Sequence, residues 1–167
     1  MKITDTAKLK TSELLQLCKD KFPVYSWYDD KQLDADFPIP KKATTRYFRD
    51  RVEADEEHKN KSANDLEKEG IQGITLRERI IMELQYFTET RKHLDIENWT
   101  LCSGSRRSDG HVPGARWIGE GFRVDWSNAG GSSERLRSRE AIPSTLPTSS
   151  LALPNILEIN GVKYKKV

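Results

Sequence analysis

The stretch ITLRERIIMELQYFTETRKHLD, residues 74–95, decides the fold of the first half of the chain. One apolar stripe runs along it at helical spacing and consists of Leu76, Ile80, Ile81, Leu84 and Phe87. Thr75 precedes Glu78 by three residues, and this pair forms the capping box that marks the first turn of a helix. The stretch therefore predicts the central helix of the domain.

Three shorter helices are predicted before it. Apolar residues recur at helical spacing over residues 11–22, with Thr11 as the capping residue and Pro23 as the stop. A second helix is predicted from about residue 44 to residue 58, and a third over residues 62–70.

Residues 24–42 mix aromatic side chains, aspartates and prolines. This composition predicts an extended loop. We expect the loop to pack Tyr25 and Trp27 onto the core.

After Asn98 the apolar period changes to two, which is typical of strands. Strands are predicted at WTLC, VPGARWI and FRVDW, with a tight hairpin turn at GEG. The last strand places Phe122, Val124 and Trp126 on one face and Arg123 and Asp125 on the other. A short helix capped by Ser133 is predicted to follow.

The sequence thus predicts one α+β domain, with N-terminal helices packed on a small antiparallel sheet. The domain spans residues 1–142, helical over 1–96 and β-rich over 97–142. A linker rich in proline and serine follows at 143–155.

Residues 156–167 are predicted to form a C-terminal β-hairpin arm around Asn160-Gly161, in which Ile159 faces Val162 and Leu157 faces Tyr164. An isolated hairpin is marginally stable, so it must dock on this domain or on a partner. It therefore offers a route to a homo-oligomer.

The composition narrows the class of protein. Apolar residues make up 35% of the chain and charged residues 32%, which favours a soluble globular domain. No apolar run approaches the roughly 20 residues of a membrane span, and the first residues lack the pattern of a secretory signal. Cys18 and Cys102 are too far apart for a CxxC pair. We therefore expect a cytoplasmic protein with reduced thiols and no membrane partner.

The choice of basic residues is uneven along the chain. The net charge is only +2, which gives no global field of the kind that binds DNA nonspecifically. No lysine occurs between Lys92 and Lys163, whereas seven arginines do. Arginine grips phosphate with a planar fork and stacks on bases, so this bias favours a phosphate-bearing ligand.

The stretch CSGSRRSDGHVPGARW, residues 102–117, holds most of the candidate ligand-binding residues, because glycine-rich turns beside arginines can form anion sites. The full set is Ser103, Gly104, Ser105, Arg106, Arg107, Asp109, Gly110, His111, Arg116, Trp117, Arg123 and Trp126. Trp99, Trp117 and Trp126 could supply stacking faces. The alternative interpretation is structural: glycines at sheet turns, tryptophans in the core, and arginines paired with surface carboxylates.

Cys102, His111 and Asp109 are the residue types of a thiol nucleophile with its base and orienting group, so a small enzyme is a further hypothesis. A cysteine at the end of a strand is more often structural. The histidines have no partner at metal-ligand spacing, and no metal or cofactor is expected.

The segments GITLRE, KHLD, LCSGSR, SDG, VP and LRSRE, over about residues 70–142, resemble a group of small uncharacterised accessory proteins of bacteriophages and prophages. The resemblance implies a non-enzymatic binding protein in the host cytoplasm that counters host defence. Such a protein would capture a nucleotide signal or short nucleic acid through the arginine and tryptophan surface. Alternatively, it would use the same surface to inhibit or modulate a host enzyme.

Overall fold

The computed structural model describes residues 1–143 and the backbone of residues 156–159 and 162–165. The elements are, in chain order, β1 (Lys2–Asp5), α1 (Thr11–Lys19), β2 (Val24–Ser26), α2 (Asp30–Asp36), β3 (Thr44–Tyr47), a 3-10 turn (Glu56–His58), α3 (Ala63–Lys68), α4 (Leu76–Thr90), β4 (Trp99–Leu101), β5 (Val112–Ile118), β6 (Gly121–Ser127), β7 (Leu136–Arg137), β8 (Ile156–Ile159) and β9 (Val162–Lys165). The predicted α+β class is confirmed.

The main sheet has five strands in the order β2-β6-β5-β4-β7. The three central strands are antiparallel, as the hairpin pattern predicts. The two outer strands run parallel to their neighbours, β2 to β6 and β7 to β4. The sheet is therefore mixed, and the first half of the chain contributes one of its edges. A separate antiparallel pair joins β1 to β3.

The predicted caps set the helix bounds. The Thr75 hydroxyl accepts the amide of Glu78, and the Glu78 carboxylate accepts the amide of Thr75 in return. Ser62 and Asp65 form the same reciprocal pair at the start of α3, and Gly70 (φ +72°) follows its end. The predicted helix starts at Thr75 and Ser62 are confirmed.

The core lies between the helices and one face of the sheet, here called the inner face. Ala115, Phe122 and Val124 of this face are buried against Leu15 of α1 and Ile80 of α4. On the opposite, outer face, Leu101 and Val112 pack under Ala63 and Leu66 of α3. Within residues 1–143, α3 covers only that end, and Tyr25 and Arg123 toward the other edge of the outer face are exposed.

Two N-terminal predictions are wrong. Residues 44–58 do not form a helix: β3 pairs with β1, and only a 3-10 turn follows. Residues 24–42 are not one loop, since they contain β2 and α2, and α2 has its own capping box at Asp29 and Gln32. Tyr25 and Trp27 are 54% and 71% exposed, so they do not pack onto the core.

Two predicted helix starts are also corrected. Lys10 occupies the cap position of α1, and the Thr11 hydroxyl instead donates to the Phe37 carbonyl. Ser133 caps no helix, because the next residues form β7 beside β4. The Thr11 hydroxyl thus donates to a distant carbonyl instead of accepting a helix amide, whereas the Ser133 hydroxyl accepts the Arg135 amide at 3.3 Å within a turn that leads into the strand.

A buried ionic cluster connects α4 to Asp95, which precedes β4, and to Arg139, which follows β7. The Asp95 carboxylate accepts Arg79 at 2.8 Å and Arg139 at 2.7 Å, and all three side chains are inaccessible to solvent or nearly so. Arg79 also pairs with Glu83 at 2.8 Å. Arg139 donates further to the carbonyls of residues 51 and 52 at 2.9 and 2.8 Å.

The ionic cluster sets the charge state of its members. Burial by itself would raise the pKa of Asp95, but the neighbouring guanidinium groups of Arg139 and Arg79 outweigh it and hold this pKa below its usual range. The two carboxylates beside Arg79 conversely raise the pKa of its guanidinium against the opposing effect of burial. Asp95 and Arg79 are therefore both charged at neutral pH.

The C-terminal hairpin has the predicted register: Ile159 pairs with Val162, and Leu157 with Tyr164. Its turn at residues 160–161 and the predicted linker at 144–155 lie outside the described residues. In the described part of the chain, no helix has both the length and the apolar character to cross a membrane.

Candidate functional site

The predicted loop residues 103–106 are tied to the start of α4. The Ser105 hydroxyl accepts the Leu76 amide at 3.0 Å, and the Gly104 amide donates to the Ile74 carbonyl at 3.0 Å. Arg106 donates to the carbonyls of Ser103 and Ser105. These contacts hold the loop in place and use the donors that a ligand would need.

The rest of the loop forms a small polar cluster of its own. Arg107 lies 3.5 Å from both Asp36 and Asp109. His111 contacts Asp109 at 2.9 Å and meets the Trp126 ring edge-on. The hydrogen bond from His111 lowers the pKa of Asp109. The turn is made at Gly110, whose φ of +90° favours glycine.

The structure does not bring the Cys102 thiol to His111. Cys102 is fully buried, and its sulfur is directed at the Thr100 carbonyl, 3.9 Å away. Burial raises the pKa of this thiol to about 12, and that of Cys18 to about 12 as well. A thiol nucleophile needs a lowered pKa and access to substrate, so the geometry argues against the enzyme hypothesis.

Both cysteines should resist thiol reagents in the folded protein. With a pKa of about 12, roughly one thiol in ten thousand is ionised at pH 8. We expect dithiobis(nitrobenzoate) to label neither cysteine in buffer and both cysteines in denaturant. The absorbance of the released nitrothiobenzoate measures the labelling. Fast labelling of either cysteine without denaturant would show an accessible thiol and revive a catalytic role.

The predicted twelve residues therefore do not form one site. Trp117 lies on the inner face, where its ring stacks on His93 with centroids 3.4 Å apart. Arg116 and Arg123 project from the outer face, on the opposite side of the sheet. They are the predicted residues that remain available for a shared surface.

Strand register places Arg116 and Arg123 in a row of four side chains across the sheet. The pairing of β4 with β5 sets Trp99 beside Arg116. Arg116 pairs directly with Arg123, and Arg123 with Tyr25 of the edge strand β2. We call Trp99, Arg116, Arg123 and Tyr25 the aromatic–arginine row.

Gly121 makes room for the Tyr25 ring of this row. A Cβ at Gly121 would lie 2.3 Å from a ring carbon of Tyr25, whereas one at Gly114 would lie at ordinary contact distance, 3.7 Å, from a ring carbon of Trp99. The Tyr25 ring therefore rests directly on the backbone of β6. Its orientation depends on the missing side chain at Gly121.

A guanidinium group lies over each aromatic ring of the row. Arg123 lies over Tyr25 at 5.5 Å from the ring centroid, and Arg116 over Trp99 at 5.3 Å. Unlike Arg107, neither forms an ion pair with any residue in the described range 1–143. Arg116 is largely buried and donates to the Ile96 carbonyl, whereas Arg123 and Tyr25 are exposed. The row thus offers a cation and an aromatic face to solvent.

Two pockets flank the row and share Asp125. The first, of about 180 Å³, is lined by Tyr25, Ser26, Trp27, Arg123, Val124 and Asp125. The second, of about 300 Å³, lies against Trp99, Gly114 and Asp125, under the loop at residues 131–133. Sequence reasoning missed Tyr25, Trp27 and Asp125 as site residues. The alternation of VYSWY, residues 24–28, was the available signal, but only the pairing of β2 with β6 shows its exposed face.

A larger cleft of about 460 Å³ lies at the start of α4. Its basic side chains are already occupied: Arg46 pairs with Glu78 at 2.7 Å and Arg77 with Asp5 at 2.7 Å. This cleft therefore has little free charge for an anion. Over residues 1–143, no three metal-binding side chains come together as a potential metal site.

The chain matches no protein-family model, no curated protein and no solved structure. The functional interpretation consequently rests on the geometry of the outer face, and above all on the aromatic–arginine row.

Proposed function

We propose that the protein is a non-enzymatic binding protein that captures a nucleotide or a short single-stranded nucleic acid on its outer face. One observation carries this proposal: two aromatic rings stand in register across four strands with two guanidinium groups that form no ion pair within residues 1–143. This arrangement combines stacking surfaces with positive charge, as single-strand binding sites do.

The dimensions of the row support a short ligand. Neighbouring strands lie about 4.8 Å apart, so the row from Trp99 to Tyr25 spans about 14 Å. Arg123 can hold a phosphate while a base stacks beside it on Tyr25. Lysine would supply the charge without the planar stacking surface, which accounts for arginine at positions 116 and 123.

The resemblance to phage accessory proteins supports a biological role for such binding. We propose that the protein withholds a nucleotide signal or a short strand from the host and so counters a host defence. This role requires a bound ligand and no turnover.

A protein partner is the second candidate, and the exposure of Trp27 (71%) on the outer face favours it. Tryptophan and arginine dominate the binding energy of many protein interfaces. On this alternative the protein inhibits or modulates a host enzyme through the same face, and nucleotides have no effect on its stability.

Substitution of the row should weaken nucleotide binding. Removing the stacking surface by Tyr25→Ala is expected to cost about 1–3 kcal/mol of binding free energy for a fluorescent single-stranded hexanucleotide. Arg123→Gln should weaken binding and reduce the slope of log K against log salt by about 0.7. Fluorescence anisotropy over a range of salt concentrations measures both effects.

Arg91→Gln is the matched control, because Arg91 is an exposed arginine without an ion pair over residues 1–143, at the end of the inner-face helix α4. Its affinity should stay within twofold of the wild type. Equal losses in the Arg123 and Arg91 variants would mean that only net charge matters. Absence of binding to any nucleotide or oligonucleotide would refute the proposal.

A further inference from the structure

We propose that Asp125 makes the outer face selective for bases that present an exocyclic amino group, such as cytosine, over thymine or uracil. This inference rests on the proposed function and names the ligand class of the same site. It concerns the pocket of about 180 Å³ between Tyr25, Trp27, Arg123 and Asp125.

One of the two carboxylate oxygens of Asp125 already accepts a hydrogen bond, and the other is available to a ligand. Its Oδ1 accepts the amide of the next residue, Trp126, at 2.7 Å. Across the described residues 1–143, Oδ2 accepts no hydrogen bond. The side chain is only partly buried, and its neighbour Arg123 lines the same pocket without forming an ion pair with it. Both charged groups are therefore open to complementary atoms of a ligand.

The walls of the pocket fit a flat ring. Tyr25 belongs to β2, and the Trp27 amide donates to the Val124 carbonyl at 3.1 Å, which keeps both aromatic residues beside β6. The edge of a base stacked on either ring would lie against the Asp125 carboxylate. A simple cation would suit the aromatic rings and Asp125 but would be repelled by Arg123. A ligand with both a donor edge and a phosphate satisfies every group.

The carboxylate distinguishes bases because it can only accept hydrogen bonds. The N4 amino group of cytosine donates, whereas O4 of thymine or uracil accepts and would face the carboxylate lone pairs. An unpaired acceptor opposite a charged group is costly, so rejection of thymine contributes as much as attraction of cytosine. Asp125 also lines the second pocket, so it can contact a base in either pocket.

The test compares the affinities of oligo-dC and oligo-dT hexamers, and of CMP and UMP, for the full chain at pH 7.5. We expect the wild type to prefer the cytosine ligands about tenfold. Asp125→Ala should abolish the preference. Asp125→Asn should abolish or invert it, because its amide can keep the contact with Trp126 through oxygen and then presents a donor. The mononucleotide pair tells whether a free nucleotide suffices or a strand is required.

The outcomes separate the two proposals. If Tyr25→Ala weakens both hexamers but the preference is absent, or survives in both Asp125 variants, the selectivity is wrong and the binding function stands. If neither hexamer nor either mononucleotide binds the wild type, both proposals fail. A cytosine preference lost in both Asp125 variants, each of which binds the thymine hexamer at least as tightly as the wild type, supports the assignment.

Discussion

Asp95→Asn is expected to lower the free energy of unfolding by about 3–5 kcal/mol, since it leaves two buried guanidinium groups without their shared counter-charge. The substitution is nearly isosteric. Asparagine also tolerates the left-handed backbone that residue 95 adopts (φ +54°). The loss therefore reports on the charge of Asp95 and on the acceptor oxygen that asparagine lacks, and urea unfolding followed by circular dichroism measures it.

The stability lost in the Asp95→Asn variant should depend on pH. In the folded protein the pKa of Asp95 lies below its value of about 3.9 in an unfolded chain. The carboxylate therefore contributes its full stability above about pH 4, and this contribution is lost as the pH falls through the folded pKa. The gap in stability between wild type and variant should narrow on acidification. Glu120→Gln, at an exposed hairpin turn, is the control and should be nearly neutral. A gap that stays constant down to pH 2 would contradict the ionic explanation.

Gly104→Ala is expected to destabilise the protein by about 3 kcal/mol, because the new methyl group has no room. Its Cβ would lie 2.3 Å from the Gly73 carbonyl oxygen and 3.0 Å from that of Ile74. Both obstacles are backbone atoms, so relief requires the loop to leave α4 and give up the Ser105 contact with the Leu76 amide. Thermal unfolding measures the loss.

Gly130→Ala is the matched control, since the nearest atom to its Cβ is 3.8 Å away in Asn64. Its unfolding free energy should change by less than about 0.5 kcal/mol. The Gly104 variant should still bind nucleotides at temperatures where it remains folded. Loss of binding in a folded Gly104→Ala protein would instead return this loop to the ligand site.

The predictable parts of the fold are those in which local signals agree. Capping boxes at Thr75 and Ser62 place α4 and α3, and the period-two pattern of residues 112–127 places the central hairpin. Where the sequence misled, a distant partner decided the outcome: β3 forms because β1 offers a neighbour, and β7 because β4 does. Local propensity contains no information about such partners.

The candidate site was predictable in residue type but not in location. The arginine bias predicts a phosphate-bearing ligand, and this stays a prediction. Arg139 uses its fork in the buried ionic cluster and Arg106 on loop carbonyls; within residues 1–143, only Arg123 presents it to solvent beside an exposed ring. Sequence separation hid Tyr25 from Arg123, because the two meet through a parallel pairing of β2 with β6.

The late position of Arg139 also sets the order in which the chain can fold. Its guanidinium closes a cluster whose other members lie at residues 51–52, 79 and 95, and the following Ile142 pairs with Tyr47. During synthesis these earlier segments must wait, with charges still hydrated, until residues 139–142 leave the ribosome. Contacts so distant in sequence slow folding. The domain should therefore acquire its native structure as a single late event, after residues 139–142 have been made.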